Sequence, residues 1–357
     1  MNSDIIIIGG GIAGLSAAAR LSADAQVTVL EMESVTGYHA SGRSAALIEE
    51  NYGAPSVQAL NHAGMAHFQD GGYLSQRGLM ILAQAQDEDA FMADLVHMGV
   101  DQISPSEAVD FVPVLDKSKL AFAAYHAEAF DIDTDLLMQD FIRVLRANGG
   151  HIITDAIVTD IRQDASGWQV SAGDVYTAGT LVNAAGAWAD LIAGIAGVTP
   201  LGIVPHRRSM ARLAAPGGHD TTTWPMFFGP NESWYAKPDA GALLVSPAEE
   251  VATHPHDAFA DDMTLAEGLD RYQQMVSEPV TRPLATWAGL RSFAPDRTLV
   301  LGRDPDVPAF VWCAGQGGYG FQTSPAASTL LADLVNGRQP MIDAASVAAL
   351  RPDRLRV

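Results

Sequence analysis

The 357-residue sequence has a single cysteine, Cys313, so no disulfide can form within the chain, and this usage fits a reducing compartment, the cytoplasm. Positive charge is scarce: 21 Lys and Arg stand against 42 Asp and Glu, a formal net charge of −21. Such a surface repels phosphate backbones and anionic lipid, which argues against a nucleic-acid partner and a membrane surface. No apolar run approaches the ~20 residues that cross a bilayer. Asp4 is followed at once by an apolar strand, which does not read as a secretory leader. No cluster of His, Cys, Asp and Glu has metal-ligand spacing, and the His254-Pro255-His256 run sits in a polar loop, so no metal is expected. Repeats, low-complexity segments and flexible linkers are missing too. What remains, 48% apolar and 18% charged, is a globular chain long enough for one large or two intimately linked domains.

The most informative stretch is residues 5–31. Ile5-Ile6-Ile7-Ile8 has the all-apolar character of a strand buried on both faces. Gly9-Gly10-Gly11-Ile12-Ala13-Gly14 follows, then a helical stretch from Leu15 to Ser22, then the apolar run Val27-Thr28-Val29-Leu30 ending on Glu31. This is strand, turn, helix, strand with an acid at its tip, the order of a dinucleotide-binding unit. Gly9 permits the tight turn, Gly11 lets a pyrophosphate approach the backbone, and Gly14 with Ala17 and Ala18 lets the helix lie close to the sheet. The phosphates would meet the positive end of that helix. Glu31 suits two ribose hydroxyls and repels a 2′-phosphate, which disfavours NADP.

Further along, small polar residues at 37–46 suggest a cofactor-hugging loop with a helix starting near Ser44. Helices are expected at 56–69, 87–98, 134–147 (capped by Thr134) and 264–277, and strands at 78–83, 120–126, 151–154, 157–162, 168–171, 199–213, 286–293, 298–301 and 309–314. Pro238-Asp239-Ala240-Gly241 has hairpin chemistry. Thr180–Ala189 is again an apolar strand running into small residues. Cys313 lies in the apolar run 310–314 and reads as a buried thiol. Gly315 to Gly320 holds four glycines in six residues, followed by a final helix with Thr323 or Ser324 as cap, Pro325 in its first turn and a stop at Gly337. Parallel-type α/β segments bracket antiparallel ones, which implies a dinucleotide domain built from separate pieces with a β-rich domain inserted.

These residues carry a likeness. The N-terminal unit, Gly37-Tyr38-His39 with Ser41-Gly42-Arg43-Ser44-Ala45-Ala46, Asp131-Ile132-Asp133-Thr134-Asp135, Val182-Asn183-Ala184-Ala185-Gly186-Ala187-Trp188, Trp234 to Gly241, Trp287 to Phe293 and Gln316-Gly317-Gly318-Tyr319-Gly320 together resemble the FAD-dependent D-amino-acid oxidase and dehydrogenase (DAO) family, which includes glycine and sarcosine oxidases. Within it the sequence looks nearest to the D-arginine dehydrogenase-like group. The resemblance implies an α/β fold: an FAD-binding Rossmann-like domain of the glutathione-reductase type (1–75, 134–205 and 290–357) with an inserted β-rich α+β substrate domain (76–133 and 206–289). It implies non-covalent FAD rather than NAD. By it, Ala13, Glu31 and Met32 lie on the adenosine and pyrophosphate side, and Ser41, Arg43, Ser44, Ala45 and Ala46 run along the flavin and its ribityl chain. Val158 meets the adenine, Ala185 and Gly186 lie close by, and Gly317, Gly318, Tyr319, Gly320, Phe321, Gln322 and Thr323 hold the isoalloxazine edge. There a helix N-terminus would stabilise negative charge on the reduced ring.

The resemblance also implies a substrate site. Arg208 and Arg291 approach the carboxylate, for which a guanidinium fork is the natural partner. Tyr52 and Tyr235 hydrogen-bond the substrate, and the Gly318 carbonyl holds the amine. Arg207 is turned to the opposite face by strand alternation. Two departures bear on specificity: Leu79 stands where an acid would pair a cationic side chain, and Leu47 where a polar residue would be expected. Both favour apolar or aromatic D-amino acids, whereas Glu49 and Glu50, ahead of Tyr52, leave basic ones as the alternative. The implied reaction passes a hydride from Cα to flavin N5, and the imino acid then hydrolyses to a 2-oxo acid and ammonia. Oxidation of an N-methyl amino acid or a 2-hydroxy acid remains open, as does the electron acceptor: oxygen, a quinone or an electron-transfer protein.

Overall fold

A computed structural model describes residues 1–356. Three sheets organise it. The first is mostly parallel at its centre, where Asn2–Ile8 lies between Asp174–Asn183 and Val27–Leu30, with His151–Ile153 beyond the latter. Phe310–Ala314 pairs parallel to Asp174–Asn183. The N-terminal strand is apolar throughout because both of its faces are covered. Ile5 and Ile7 pack with Ala17, Ala18, Leu330 and Leu331, while Ile6 and Ile8 pack with Trp168, Phe310 and Trp312 on the other side. The helix Ile12–Leu21 begins three residues earlier than expected, directly from the glycine turn. No helix among the described residues is long and apolar enough to cross a membrane.

The second sheet has nine strands, and its spine is Val204–Ala214. Ala285–Phe293 runs antiparallel along that spine, with His206 opposite Arg291 and Arg208 opposite Gly289. Side chains two residues apart on a strand share a face, so this register sets Arg208 and Arg291 diagonally on one face. The hairpin Tyr235–Asp239 and Ala242–Ser246 forms as the turn residues suggest. A small third sheet joins Leu47–Glu49, Ala129–Ile132 and Leu74–Gln76.

Several local expectations give way to longer-range contacts. No helix starts near Ser44. Ser41–Arg43 is a single tight turn, Ala46 takes φ +35°, and Leu47–Glu49 enters a ladder with Ala129–Ile132. The helix Thr134–Ala147 is capped by Asp133, whose carboxylate accepts from Leu136 N at 2.9 Å, not by Thr134. The long strand starts at Val204, not 199, because the Asp190 carboxylate takes the N–H groups of Leu201, Gly202 and Ile203. The last helix, Gly320–Asn336, starts five residues before Pro325, so Thr323 and Ser324 are not caps. Pro325 lacks the N–H that would bond the Phe321 carbonyl, and the Ser324 hydroxyl donates to that carbonyl instead, at 2.9 Å.

Candidate active site

One continuous cavity of about 460 Å³ runs from the tip of the first strand pair to the face that carries both arginines. Its near end is lined by Gly9, Gly11, Ala13, Glu31, Met32 and Val158, its middle by Ser41, Arg43, Ser44, Ala45, Ala185 and Gly186, and its far end by Arg208, Tyr235, Arg291, Gly317, Gly318, Gly320 and Phe321.

At the near end the backbone is packed so closely that side chains are excluded. A Cβ on Gly9, which holds φ +106°, would strike the Ala184 carbonyl, and one on Gly14 would strike the carbonyl of Gly9. Gly14 therefore stands behind the wall, as the seat of the helix, and not in the lining. Glu31 is buried, its Oε2 accepting from Gly10 N at 2.6 Å and its Oε1 from Glu33 N at 2.9 Å. Each carboxylate oxygen keeps a lone-pair direction free for a hydroxyl. The helix Ile12–Leu21 has no cap from its own N-cap residue, Gly11; the Ser41 hydroxyl accepts from Ile12 N at 3.0 Å instead. The helix Gly320–Asn336 likewise has no side-chain cap. Two helix N-termini thus open on one cavity that has a glycine cradle and a buried acid, and these features fit a dinucleotide whose pyrophosphate the first helix would hold. Changing Glu31 to Gln removes the charge and places an amide donor against one of the two backbone N–H groups, whichever the remaining oxygen does not accept from. The expected result is a rise of about 10- to 100-fold in the FAD dissociation constant, measured by equilibrium dialysis.

Arg43 lines the cavity, and its guanidinium is engaged by protein groups. It donates to the carbonyls of Ala258 and Ala288, both at 2.9 Å, and pairs with Asp257 at 2.5 Å, tying the 257–258 segment to the loop below. Ala46, Tyr319, Gln322 and Thr323 do not line the cavity. The Ala46 carbonyl faces Lys237, the Gln322 amide reaches Asn61 at 3.2 Å, and the Thr323 hydroxyl donates to Tyr319 O at 2.8 Å within its own helix.

At the far end Arg208 is 6% exposed. Its Nη2 donates to Glu250 Oε1 at 3.0 Å, while Nη1 lies 3.8 Å from Glu232 Oε2, and Nε and Nη1 have no hydrogen-bond partner. Buried, unmade guanidinium donors of this kind are poised for an anion. Arg291 lies flat against Gly318, where a Cβ would come to 3.0 Å from its Nη1. Burial alone would depress its pKa, but the oxygens of Tyr52, Tyr235, Glu232 and Glu250 outweigh that and hold it above the ordinary arginine value. Tyr235 is buried and faces the cavity. Tyr52 stands just outside the lining, its ring 5.4 Å from that of Tyr319, and burial and then Glu232 push its hydroxyl well above the usual tyrosine range. Arg207 points away, 3.7 Å from Glu249, as strand alternation requires.

The four specificity candidates do not line the cavity, although Leu47 and Leu79 pack behind its Tyr235 and Met210. Leu79 is in the core of the second sheet and Leu47 packs against the same cluster. Glu49 is a strand residue, buried, accepting from Asn51 N at 3.1 Å and 3.7 Å from His126; Glu50 lies 3.9 Å from His62. The residues that do face the arginines, Glu232 and Glu250, also stand outside the lining and carry no signal in the sequence. They lie 24 and 42 residues from Arg208 in loops without periodic pattern, and only the sheet register brings them there.

A family model described as FAD dependent oxidoreductase (DAO) matches residues 4–334. Glycine oxidase of Geobacillus kaustophilus is 23% identical over 370 residues, covering 98% of this chain and 97% of that protein. Its crystal structure aligns with a TM-score of 0.81 at 24% identity, covering 96% of this chain and 97% of that one. The crystal structure of L-proline dehydrogenase from P. horikoshii aligns with a TM-score of 0.83 at 22% identity, covering 99% and 97%. The uncharacterized oxidoreductase YurR of Bacillus subtilis is 26% identical over 209 residues, 56% of this chain and 51% of that protein, so this match spans about half of each.

Proposed function

This chain belongs to the DAO family of FAD-dependent oxidoreductases, and from that premise we propose that it oxidatively deaminates a D-amino acid. The observation that carries the proposal is the pair of guanidinium groups on one sheet face, Arg208 and Arg291, at the end of the cavity and beside Gly318. A carboxylate held by both would set the adjoining Cα at the glycine-rich start of the last helix. The Gly318 carbonyl is the acceptor for an amine hydrogen, and the hydroxyls of Tyr52 and Tyr235 steady the carboxylate. No side chain here need act as a base: orientation of a substrate with a free amine supplies the rate advantage. Bound FAD would supply the acceptor for the Cα hydrogen, which leaves as a hydride with its bonding pair while the amine lone pair forms the C=N bond of the imino acid. Water then hydrolyses the imino acid to a 2-oxo acid and ammonia.

A second reading is favoured by the relatives, whose names specify glycine and L-proline. The same clamp would accept glycine or an N-substituted amino acid. A 2-hydroxy acid fits less well, because it brings no amine to Gly318. An anaerobic screen separates these readings. Bleaching of the flavin absorbance by D-amino acids, faster than by L-, N-methyl or hydroxy acids, is the expected result. Bleaching by glycine or N-methyl amino acids alone supports the second reading, and no bleaching at all removes both. Leu47 and Leu79, on which a preference for apolar or aromatic side chains rests, lie outside the cavity wall, as do Glu232 and Glu250, but the two glutamates reach Arg208. The side-chain class therefore turns on the groups that do face the arginines.

A further inference from the structure

We propose that Glu232 is a specificity-determining residue that selects substrate by charge, favouring a cationic side chain and rejecting a second carboxylate; this rests on the amino-acid reading above. Its backbone is the first indication. Asn231 and Glu232 are consecutive non-glycine residues with φ +55° and +51°. Such strain persists only where surroundings enforce it, and it gathers at ligand clamps. The enforcing contact is visible: Asp94 Oδ2 accepts from Asn231 N at 2.7 Å. The loop so held carries the Glu232 carboxylate to Arg208 and close enough to Arg291, Tyr52 and Tyr319 to act on all three.

The second indication is how the carboxylates are paired. Glu250 is ion-paired through both oxygens, with Arg208 on one at 3.0 Å and Arg297 on the other at 2.6 Å. Glu232 is not. Among the described residues its one contact with a cation, Arg208, is 3.8 Å, longer than a hydrogen bond, and its other close neighbour is the neutral Tyr52 hydroxyl. When a substrate carboxylate occupies Arg208 and Arg291, Glu232 shares its counter-charges with a second anion. A positive group on the substrate restores the balance, and a second carboxylate worsens it. Glu49 and Glu50 do not compete for this role, since they are held by Asn51 and His126 and by His62.

The test uses the FAD-loaded enzyme and its Glu232→Gln variant, with two readouts. In turnover, kcat/KM for D-arginine is expected to fall by about 10- to 100-fold, mostly through KM, while D-methionine changes by less than about threefold and D-glutamate improves. In binding, 4-guanidinobutyrate, pentanoate and glutarate present a carboxylate with a cation, nothing or a second carboxylate. They carry no amine to oxidise, so calorimetry reads affinity free of turnover. The wild type is expected to bind 4-guanidinobutyrate most tightly and glutarate least, and Glu232→Gln to level the series. Glu232→Asp keeps the charge and should keep the order, which separates charge from loop folding. Equal losses for D-arginine and D-methionine, or an unchanged binding order in Glu232→Gln, overturn the proposal. A wild type that oxidises no amino acid yet shows a binding order levelled by Glu232→Gln removes the proposed reaction and supports the role of Glu232.

Discussion

Replacing Asp131 with alanine is expected to lower stability by about 3–5 kcal/mol, because it leaves a buried ammonium without its anion. Lys237 is 8% exposed, and its Nζ lies 2.9 Å from Asp131 Oδ1. Arg77 Nε donates to the other oxygen at 2.8 Å, and its Nη2 lies 2.6 Å away. Burial pushes the Lys237 pKa down and Asp131 is the main group holding it up, so removal of that carboxylate leaves burial and Arg77 opposed only by the weaker influence of Asp239. The three residues come from the second sheet, the third sheet and the connection between them, and one loss therefore loosens a junction rather than one element. Lys237 also donates to the carbonyl of Ala45, a residue of the cavity wall, and faces that of Ala46, whose φ of +35° is itself strained. Asp131→Ala should therefore also bind FAD less tightly. Urea denaturation measures the first effect and fluorescence of released flavin the second. Lys237→Met combined with Asp131→Leu should recover most of the stability, since neither charge is then buried. A stability change under about 1 kcal/mol in Asp131→Ala would show that the ammonium reaches water.

How far the sequence discloses this molecule depends on the range of the force involved. Ile5–Ile8, the glycines after it and Glu31 are legible because burial on two faces, close backbone approach and a tip acid each demand a residue type within a few positions. Strand alternation likewise separates Arg207 from Arg208 before any coordinates. The start of the last helix is misplaced because Thr323, Ser324 and Pro325 have a helix-start chemistry that the chain uses inside the helix, with the Ser324 hydroxyl making up for the missing N–H of Pro325. The strand Leu47–Glu49 is hidden because its partner lies some eighty residues away, at Ala129–Ile132, and small residues at 40–46 say nothing of that ladder. Glu232 is hidden for the same reason. Its importance arises from a loop geometry fixed by Asp94 and from the register of two other strands, neither of which leaves a local pattern.

Arg291→Ala is expected to reduce kcat/KM by about 150- to 5000-fold, the loss of about 3–5 kcal/mol that follows when a buried carboxylate partner is removed. The effect should fall on KM, because the guanidinium holds the substrate before and during the reaction alike. Flavin should remain bound, since Glu31 and both helix N-termini are untouched. Arg208→Ala differs in kind. It frees Glu250 from one of its two partners and Glu232 from its nearest cation, so the site becomes more negative as well as less able to bind an anion. Its KM should consequently rise further than that of Arg291→Ala, and the difference should shrink as salt is added. Arg207→Ala is the control: it faces Glu249 on the other side of the strand, and its kinetics should stay within about twofold of the wild type. Both clamp variants are measured with one substrate, each against its flavin content. Two variants that retain flavin and wild-type KM would mean that the guanidinium pair does not hold the substrate carboxylate, and the amino-acid reading would fall with it.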